Sequence, residues 1–375
     1  MKLLYGVQGT GNGHISRARA MARALAEYDG EVDFIFSGRP AEHYFDMTPF
    51  GDYRTFTGMS FVSRDGKIDM LATARHNHLA QLRRDIRQLD VSDYDKVISD
   101  FEPISAWAAR QQGIPSVAIS HQAAFSHAVP KHGETWINRL IMRHFAPTDY
   151  AIGLHWYHFN QAILPPIIDT SLPNATTVSL VAEKAVLVYL PFESLSAVSE
   201  LLLRFSQPFV CFHPEVSAPE QRENLTLMPL GKESFHSALH QCQGVIANGG
   251  FELPSEALTL GKKLLLKPLS GQFEQLSNVA TLAQLGLAHT MNSLDARAVR
   301  EWLQTPAVDA IAYPDVAKAL AEWLVKGELG QTRSLFHHLW AQVDYPETVE
   351  ESILDFNRLS TRVEPNRLRL QRLNR

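Results

Sequence analysis

The chain has 375 residues, of which 45% are hydrophobic and 20% are charged. This composition is typical of globular proteins and excludes a chain that is disordered throughout. The formal net charge of −5 argues against a protein that coats nucleic acid. Two cysteines are too few for a disulfide scaffold or a four-cysteine zinc site. At roughly 150 residues per domain, the length predicts two medium domains.

The N-terminal residues lack the apolar core of a signal peptide, because the run over residues 3–7 is short and contains a glycine. The apolar stretch over residues 185–192 is also much shorter than the roughly 20 residues of a membrane-spanning helix. Together with the low cysteine content, these features predict a soluble cytoplasmic protein.

Short apolar strands alternate with helices along the first half of the chain. Strands are predicted over residues 3–7, 32–36, 96–99, 116–120 and 150–154, and helices over 15–28, 71–89 and 104–111. Strands that are apolar on both faces and separated by helices indicate a parallel sheet covered on both sides.

The same alternation starts again after a proline-rich segment over residues 164–174, which we interpret as an interdomain link. Strands are predicted over residues 185–190, 209–212, 244–247 and 263–267, and helices over 195–205, 252–260, 273–285 and 348–359. We therefore predict an α/β protein with an N-terminal domain over 1–165, a C-terminal domain over 175–345, and a helix with a basic tail over 346–375. A ligand cleft is expected between the carboxyl ends of the two sets of strands.

A glycine-rich turn follows the first predicted strand and contains Gly9, Gly11, Asn12, Gly13 and His14. Glycines allow the backbone to turn tightly and approach a ligand, and the helix N-terminus that follows favours anions. The turn departs from the G-x-G-x-x-G dinucleotide pattern, because His14 replaces the third glycine. No acidic residue directly follows the second strand to hold an NAD ribose. Arg39 at that place would suit a 2′-phosphate, which leaves an NADP-dependent reductase as an alternative.

His14 is the candidate general base of this cleft. An imidazole at the first turn of the helix would point into the cleft, and imidazoles titrate in the range that suits proton abstraction. Asp100 ends the strand before Phe101 and would orient His14 there, as carboxylates do for catalytic histidines. The alternatives are a histidine that only packs at the turn, and an aspartate that caps the helix from Ile104.

A second motif runs from Asn248 to Asn278. Gly249 and Gly250 follow a predicted strand and open a helix whose free N–H groups would hold a diphosphate. Glu256, one turn further on, would accept hydrogen bonds from a vicinal diol such as a ribose. Glu274, Gln275 and Asn278 follow the next strand, where amides and a carboxylate would contact sugar hydroxyls. The alternative is that these residues are ordinary surface and helix-start residues.

These two motifs resemble those of GT-B glycosyltransferases, close to the MurG and UDP-glycosyltransferase group. The resemblance spans most of the chain, and it implies two Rossmann-like domains that face a cleft, with a C-terminal helix that returns to the first domain. It implies an inverting, metal-independent transfer of a sugar from a nucleotide donor, with His14 as general base on the acceptor side. Gly249 and Gly250 would then hold the donor diphosphate and Glu256 its ribose. Glu274 and Gln275 would contact the donor sugar, with Asn278 just beyond.

One segment departs from the family pattern. Relatives often have a glycine- or serine-rich phosphate loop after the first strand of the second domain, whereas this chain has Glu193 and Ser194 there. A glutamate at this position would repel a diphosphate unless it turns away, which leaves Ser194 as the hydroxyl that would contact it.

On the acceptor side, His121 follows a strand of the first domain, although a histidine with internal partners is the alternative. Asp93, Tyr94 and Asp95 imitate a metal-binding D-x-D motif but precede a strand, at the wrong end for the site. We therefore predict no metal and no cofactor. Two further functions remain open, a non-catalytic nucleotide-sugar binding protein and a nucleotide-sugar epimerase.

The tail over residues 361–375 is basic, with five arginines and one glutamate. It is either a solvated terminus or a segment attracted to the anionic inner face of a membrane. The second interpretation would suit an acceptor that is a lipid or a cell-envelope polysaccharide, whereas a small metabolite would need no such contact. No nucleic-acid partner is expected.

Overall fold

A computed structural model describes residues 1–60, 78–169 and 185–360, together with the strand residues 63–64 and 67–68. These residues form two α/β domains, each with a seven-stranded sheet. The predicted fold class is therefore confirmed. Residues 170–174 of the predicted link, the basic tail over 361–375, and residues 71–77 of the predicted helix over 71–89 lie outside the described residues.

The first sheet has the strand order β3-β2-β1-β6-β7-β8-β9, and all of its strands are parallel. The strands of this sheet are β1 (Lys2–Gln8), β2 (Glu31–Ser37), β3 (Tyr53–Phe56), β6 (Lys96–Asp100), β7 (Ser116–Ser120), β8 (Tyr150–Leu154) and β9 (Ile163–Leu164). The short strands β4 (Ser63–Arg64) and β5 (Lys67–Ile68) pair separately. Leu4 and Tyr5 are adjacent in β1 and both are fully buried, as expected for a sheet covered on both faces.

The helices of this domain are α1 (Asn12–Leu25), α2 (Leu79–Gln88), α3 (Pro103–Gln112), α4 (His121–Ala124) and α5 (Trp136–His144). Helix α1 begins directly after the glycine-rich turn, and α3 and α4 follow β6 and β7. The polar residues after these strands therefore lie at one edge of the sheet.

The second sheet has the order β12-β13-β11-β10-β14-β15-β16, and only β12 is antiparallel to its neighbour. Its strands are β10 (Val186–Tyr189), β11 (Phe209–Phe212), β12 (Glu220–Arg222), β13 (Leu225–Met228), β14 (Gly244–Asn248), β15 (Lys263–Lys267) and β16 (His289–Thr290). The helices that follow are α6 (Leu195–Leu202), α7 (Lys232–Gln241), α8 (Glu252–Thr259), α9 (Phe273–Gln284), α10 (Ala296–Leu303), α11 (Val316–Lys326), α12 (Arg333–Trp340) and α13 (Glu347–Ser360).

The last three helices return to the first domain. The Lys96 ammonium donates to the Leu324 carbonyl at 2.6 Å, and the Trp340 indole donates to the Ile163 carbonyl at 2.7 Å. In α13, the Asn357 amide donates to the Tyr157 hydroxyl at 2.9 Å. The expected return of the C-terminal helix to the first domain is therefore present.

Gly153 in β8 allows α4 to approach the sheet closely. A Cβ at this position would lie 2.6 Å from the Ala124 Cα and 2.7 Å from the Ala124 nitrogen, and both are backbone atoms. Helix α4 carries His121 and Gln122, so this close packing fixes two side chains of the cleft.

We expect Gly153→Ala to lower the free energy of unfolding by about 1–3 kcal/mol, because backbone atoms must move to accept the methyl group. Urea-induced unfolding measures the change. Gly250→Ala is the matched control, because no described atom lies within 4 Å of a Cβ built there, and it should change stability by less than about 0.5 kcal/mol. Equal effects of the two substitutions would contradict this account of α4.

Candidate active site

The structure brings His14 and Asp100 together. Helix α1 places His14 in its first turn, and β6 ends at Asp100, so that Nδ1 of the imidazole lies 2.8 Å from Oδ1 of the carboxylate. The His14 side chain is 14% exposed and that of Asp100 is fully buried. Asp100 is not the cap of α3. The Glu102 carboxylate has that role and accepts from the backbone nitrogens of Ile104 and Ser105 at 2.9 and 2.6 Å.

Arg17 is the centre of a buried network that the sequence analysis did not predict. It lies three residues after His14 in α1, and its guanidinium donates from Nε to Asp100 Oδ2 at 2.9 Å and from Nη2 to Asp100 Oδ1 at 2.7 Å. Its Nη1 donates to the carboxylate of Glu252, which belongs to the second domain. The spacing of three residues places Arg17 on the same face of α1 as His14, and that spacing was the available signal.

The pKa values of the two acids in this network, Asp100 and Glu252, are shifted in opposite directions. Burial alone would raise the pKa of Asp100, but the charge of Arg17 and the hydrogen bonds from His14 and Arg17 outweigh it and hold this pKa below its ordinary value. Burial and the charge of Asp100 raise the pKa of Glu252 to about 7, although Arg17 opposes the shift. Asp100 is therefore the firmly ionised partner of His14.

The second domain places Gly249 and Gly250 at the end of β14, ahead of α8. A Cβ on Gly249 would lie 2.6 Å from Val279 Cγ2 and 2.8 Å from the Gln275 carbonyl, so this glycine is required for packing against α9. The Cβ position of Gly250 has no described atom within 4 Å. Gly250 is therefore the open position of the motif, directly ahead of the N-cap of α8.

Glu256 lies between the two domains. Its Oε1 accepts from the Ser16 hydroxyl at 3.3 Å, and its Oε2 lies 3.9 Å from His236 Nδ1. Burial, followed by the charges of Glu252 and Asp169, raises the pKa of Glu256 to about 8. Burial, with the charge of Lys232, lowers the pKa of His236 to about 4. Glu256 therefore favours its protonated form near neutral pH.

Glu193 has a partner that the sequence analysis did not identify. Its carboxylate lies 2.6 Å from the Lys267 ammonium, and the two side chains are 10% and 7% exposed. Lys267 ends β15 beside Asn248 of β14, so the ion pair crosses the end of the strand that leads to Gly249. The adjacent Ser194 caps α6, with its hydroxyl 3.4 Å from the Ala197 nitrogen. Lys267 therefore compensates the negative charge of Glu193, the residue that departs from the family pattern.

His121 and Asn278 bond to each other across the domains. The His121 Nε2 lies 2.6 Å from Asn278 Oδ1, its Nδ1 lies 2.8 Å from the Leu154 carbonyl, and the Asn278 amide donates to the Gly249 carbonyl at 3.0 Å. Both side chains are fully buried. These internal partners favour a structural role for His121 and Asn278 over direct contact with acceptor or donor.

Glu274 and Gln275 differ in their surroundings. The Glu274 carboxylate accepts from the Gln122 amide at 3.0 Å, and that amide nitrogen lies 3.4 Å from His14 Nε2. Gln275 is buried and its side-chain oxygen accepts from the Leu269 nitrogen at 2.8 Å. The structure therefore places Glu274, but not Gln275, close to the His14 side of the cleft. Gln122 lies on the same side of the cleft, between Glu274 and His14.

Asn12 connects the glycine-rich turn to the second strand. Its Oδ1 accepts from Arg39 Nη1 at 3.1 Å, and the Arg39 guanidinium lies 4.6 Å from the centroid of the Tyr44 ring. A hydrogen bond also joins Asn12 to Tyr189 of the second domain. Gly11 precedes the helix, and a Cβ on Gly13 would lie 2.9 Å from the Glu252 side chain. The turn therefore lies directly against the second domain.

Within the described ranges, no group of three or more histidine, cysteine, aspartate or glutamate side chains is arranged to hold a metal ion. Among the described helices, none combines the length and apolar character of a membrane-spanning segment.

Solved glycosyltransferases share this fold. The glycosyltransferase of kitacinnamycin aligns with a TM-score of 0.59 at 16% identity, over 95% of this chain and 98% of the other. CalG4, the calicheamicin glycosyltransferase, aligns with a TM-score of 0.52 at 14% identity, over 97% and 99%. Arabidopsis thaliana UGT89C1, solved with UDP, aligns with a TM-score of 0.54 at 10% identity, over 95% and 98%. The fold is that of the GT-B glycosyltransferases.

A family model described as Glycosyl transferase family 1 matches residues 1–306. The chain belongs to this family, and the protein is a glycosyltransferase. No curated protein matches the chain. Membership in a transferase family argues against the NADP-dependent reductase, and Arg39 is instead engaged by Asn12 and Tyr44.

The raised pKa of Glu256 predicts a stability that depends on pH. The folded protein holds a proton on Glu256 up to about pH 8, whereas the unfolded chain releases it near the ordinary glutamate value. Stability contributed by this proton is present at low pH and is lost as the pH rises towards 8. We therefore expect Glu256→Gln to stabilise the ligand-free protein by on the order of 2 kcal/mol at pH 9 and by much less at pH 5. Melting temperatures at both pH values test this, and an equal shift at both would contradict the buried, protonated state.

Proposed function

We propose that the enzyme transfers a sugar from a nucleoside-diphosphate donor to an acceptor hydroxyl, with inversion and without a metal ion, and that His14 is the general base. The observation that carries the proposal is the contact of 2.8 Å between His14 Nδ1 and the buried Asp100. Nδ1 also lies 2.9 Å from Arg17 Nη2, which donates to the same Asp100 oxygen. With the Nδ1 proton directed at Asp100, Nε2 is the nitrogen that takes the proton from an acceptor.

The chemistry follows from this arrangement. His14 Nε2 takes the acceptor proton as the acceptor oxygen forms a bond to the anomeric carbon. The bond from that carbon to the diphosphate oxygen breaks, and the nucleoside diphosphate departs with the electron pair. The N-terminus of α8, open at Gly250, would stabilise the charge on the departing group. Glu274, hydrogen-bonded to Gln122 beside His14, would contact the donor sugar.

Two observations support a nucleoside-diphosphate donor. UGT89C1 was solved with UDP, and the spinosyn rhamnosyltransferase SpnG with thymidine diphosphate. The Lys267 ammonium also pairs with Glu193 at the end of β10, which removes the net negative charge that would repel a diphosphate there. We therefore propose that the donor binds the second domain, with its diphosphate at Gly250 and its ribose towards Glu256.

We expect His14→Ala to lower kcat by about 10³-fold or more and Asp100→Asn by about 10²–10⁴-fold, because the first removes the base and the second its orienting carboxylate. Initial rates with UDP- and TDP-sugars measure kcat, and calorimetric titration with UDP and TDP should show donor affinity within about threefold of wild type. Full turnover by His14→Ala would exclude His14 as the base. Conversion of the donor without any acceptor would instead indicate an epimerase, and donor binding without any product would indicate a sensor.

Gly250→Asp is expected to weaken UDP or TDP binding by about tenfold or more, because it adds a carboxylate in front of the α8 N-terminus, where the diphosphate would lie. Calorimetric titration measures the affinity. Gly250→Ala is the control that adds a side chain without charge, and it should reduce affinity much less. Unchanged affinity in Gly250→Asp would place the diphosphate elsewhere.

A further inference from the structure

Arg17 connects the proposed base to the proposed donor site through a single side chain. The residue is 2% exposed, and its guanidinium bonds two carboxylates from different domains. Asp100 ends β6 in the first domain, whereas Glu252 begins α8 directly behind Gly249 and Gly250. The planar guanidinium suits this task because it presents donors on two edges, so that one edge binds Asp100 in a bidentate manner while Nη1 remains for Glu252.

Asp100 depends on this contact. A fully buried carboxylate is costly without a charged partner, and His14 alone supplies one hydrogen bond to Oδ1. Arg17 supplies the positive charge and bonds both carboxylate oxygens, which fixes the plane of the Asp100 carboxylate. The His14 ring takes its orientation from Oδ1 of that same group. The orientation of the imidazole is therefore set partly by Arg17.

The contact between Arg17 and Glu252 exists only where α1 and α8 face each other. A second bond, from the Ser16 hydroxyl to Glu256, lies on the same pair of helices. Separation of the domains would remove the Glu252 contact and leave a buried guanidinium and a buried carboxylate without this pairing. Domain closure and the arrangement around Asp100 are thus linked by one ion pair.

We propose that Arg17 is a positioning residue that couples the closed arrangement of the two domains to the orientation of His14, by holding Asp100 and Glu252 at the same time. This inference rests on the proposed function, since it assigns to His14 the role of base. Arg17 itself touches neither substrate in this account. It acts through Asp100 and through its own Nη2, which lies 2.9 Å from His14 Nδ1.

The kinetic test compares Arg17→Lys with Arg19→Lys. Lysine keeps the charge but cannot bond Asp100 in a bidentate manner and reach Glu252 together, so we expect kcat to fall by about 10–100-fold with donor KM within about threefold. Arg19 is also buried in α1, and among the described residues its guanidinium donates to the carbonyls of Phe45 and Asp46 and not to Asp100 or Glu252, so Arg19→Lys controls for loss of a buried arginine. A retained kcat in Arg17→Lys, or equal losses in both variants, would overturn the proposal.

A spectroscopic readout separates this proposal from the proposed function. Two-bond ¹H–¹⁵N correlation spectra at pH 8 report the tautomer of each histidine, and a His14→Asn variant identifies the His14 signal. We expect the His14 ring of the wild type to adopt one tautomer, with its proton on Nδ1, and that of Arg17→Lys to show a mixture of tautomers. Glu252→Gln removes only the cross-domain charge, so we expect a smaller change in the His14 tautomer there. An unchanged His14 signal in both variants would overturn the positioning role. This result does not require transferase activity, so an inactive wild-type protein would refute the proposed function without deciding the role of Arg17.

Discussion

The burial of the Asp100 carboxylate is the interaction on which the site depends. A carboxylate without solvent must be bonded and charge-compensated, and here the compensation comes from Arg17 while His14 supplies a further hydrogen bond. These three residues come from two elements that meet at the carboxyl edge of the first sheet, because β6 ends where α1 begins. The requirement to satisfy Asp100 therefore holds α1 in the position that directs His14 towards the second domain.

The second domain places acidic residues of its own at this edge. Glu252 and Glu256 both have raised pKa values, chiefly because burial disfavours their charged forms; the charge of Asp100 adds to the shift of Glu252, and the charges of Glu252 and Asp169 add to that of Glu256. Glu193 is compensated differently, by an ion pair with Lys267. The acids of the cleft are thus balanced in different ways: Arg17 pairs with Asp100 and Glu252, Lys267 pairs with Glu193, and Glu256 favours its protonated form.

Most of the fold could be predicted from the sequence. The strands at 3–7, 116–120 and 263–267 are long apolar runs with clear boundaries, so their positions agree with β1, β7 and β15 to within about two residues. Short edge strands such as β9 and β16 were not predicted, because two-residue pairings lack an apolar pattern of their own. Helices α10 to α12 were not predicted either.

The places of candidate residues in the fold could be predicted where a residue follows a clear strand, as for His14, Asp100 and Gly250, while their roles stay predictions. The cross-domain partners could not be predicted, because Arg17 and Glu252 are 235 positions apart and no local sequence pattern pairs them. The bond between His121 and Asn278 could not be predicted either. His121 follows a strand and Asn278 lies within α9, and 157 positions separate them.

A crystal structure of the enzyme with UDP or TDP tests the central claim most directly. The account predicts the diphosphate at the amino end of α8 beside Gly250, with the Nε2 face of the His14 imidazole across the cleft from it. A nucleotide bound at another place, with that helix end free of phosphate, would contradict the account.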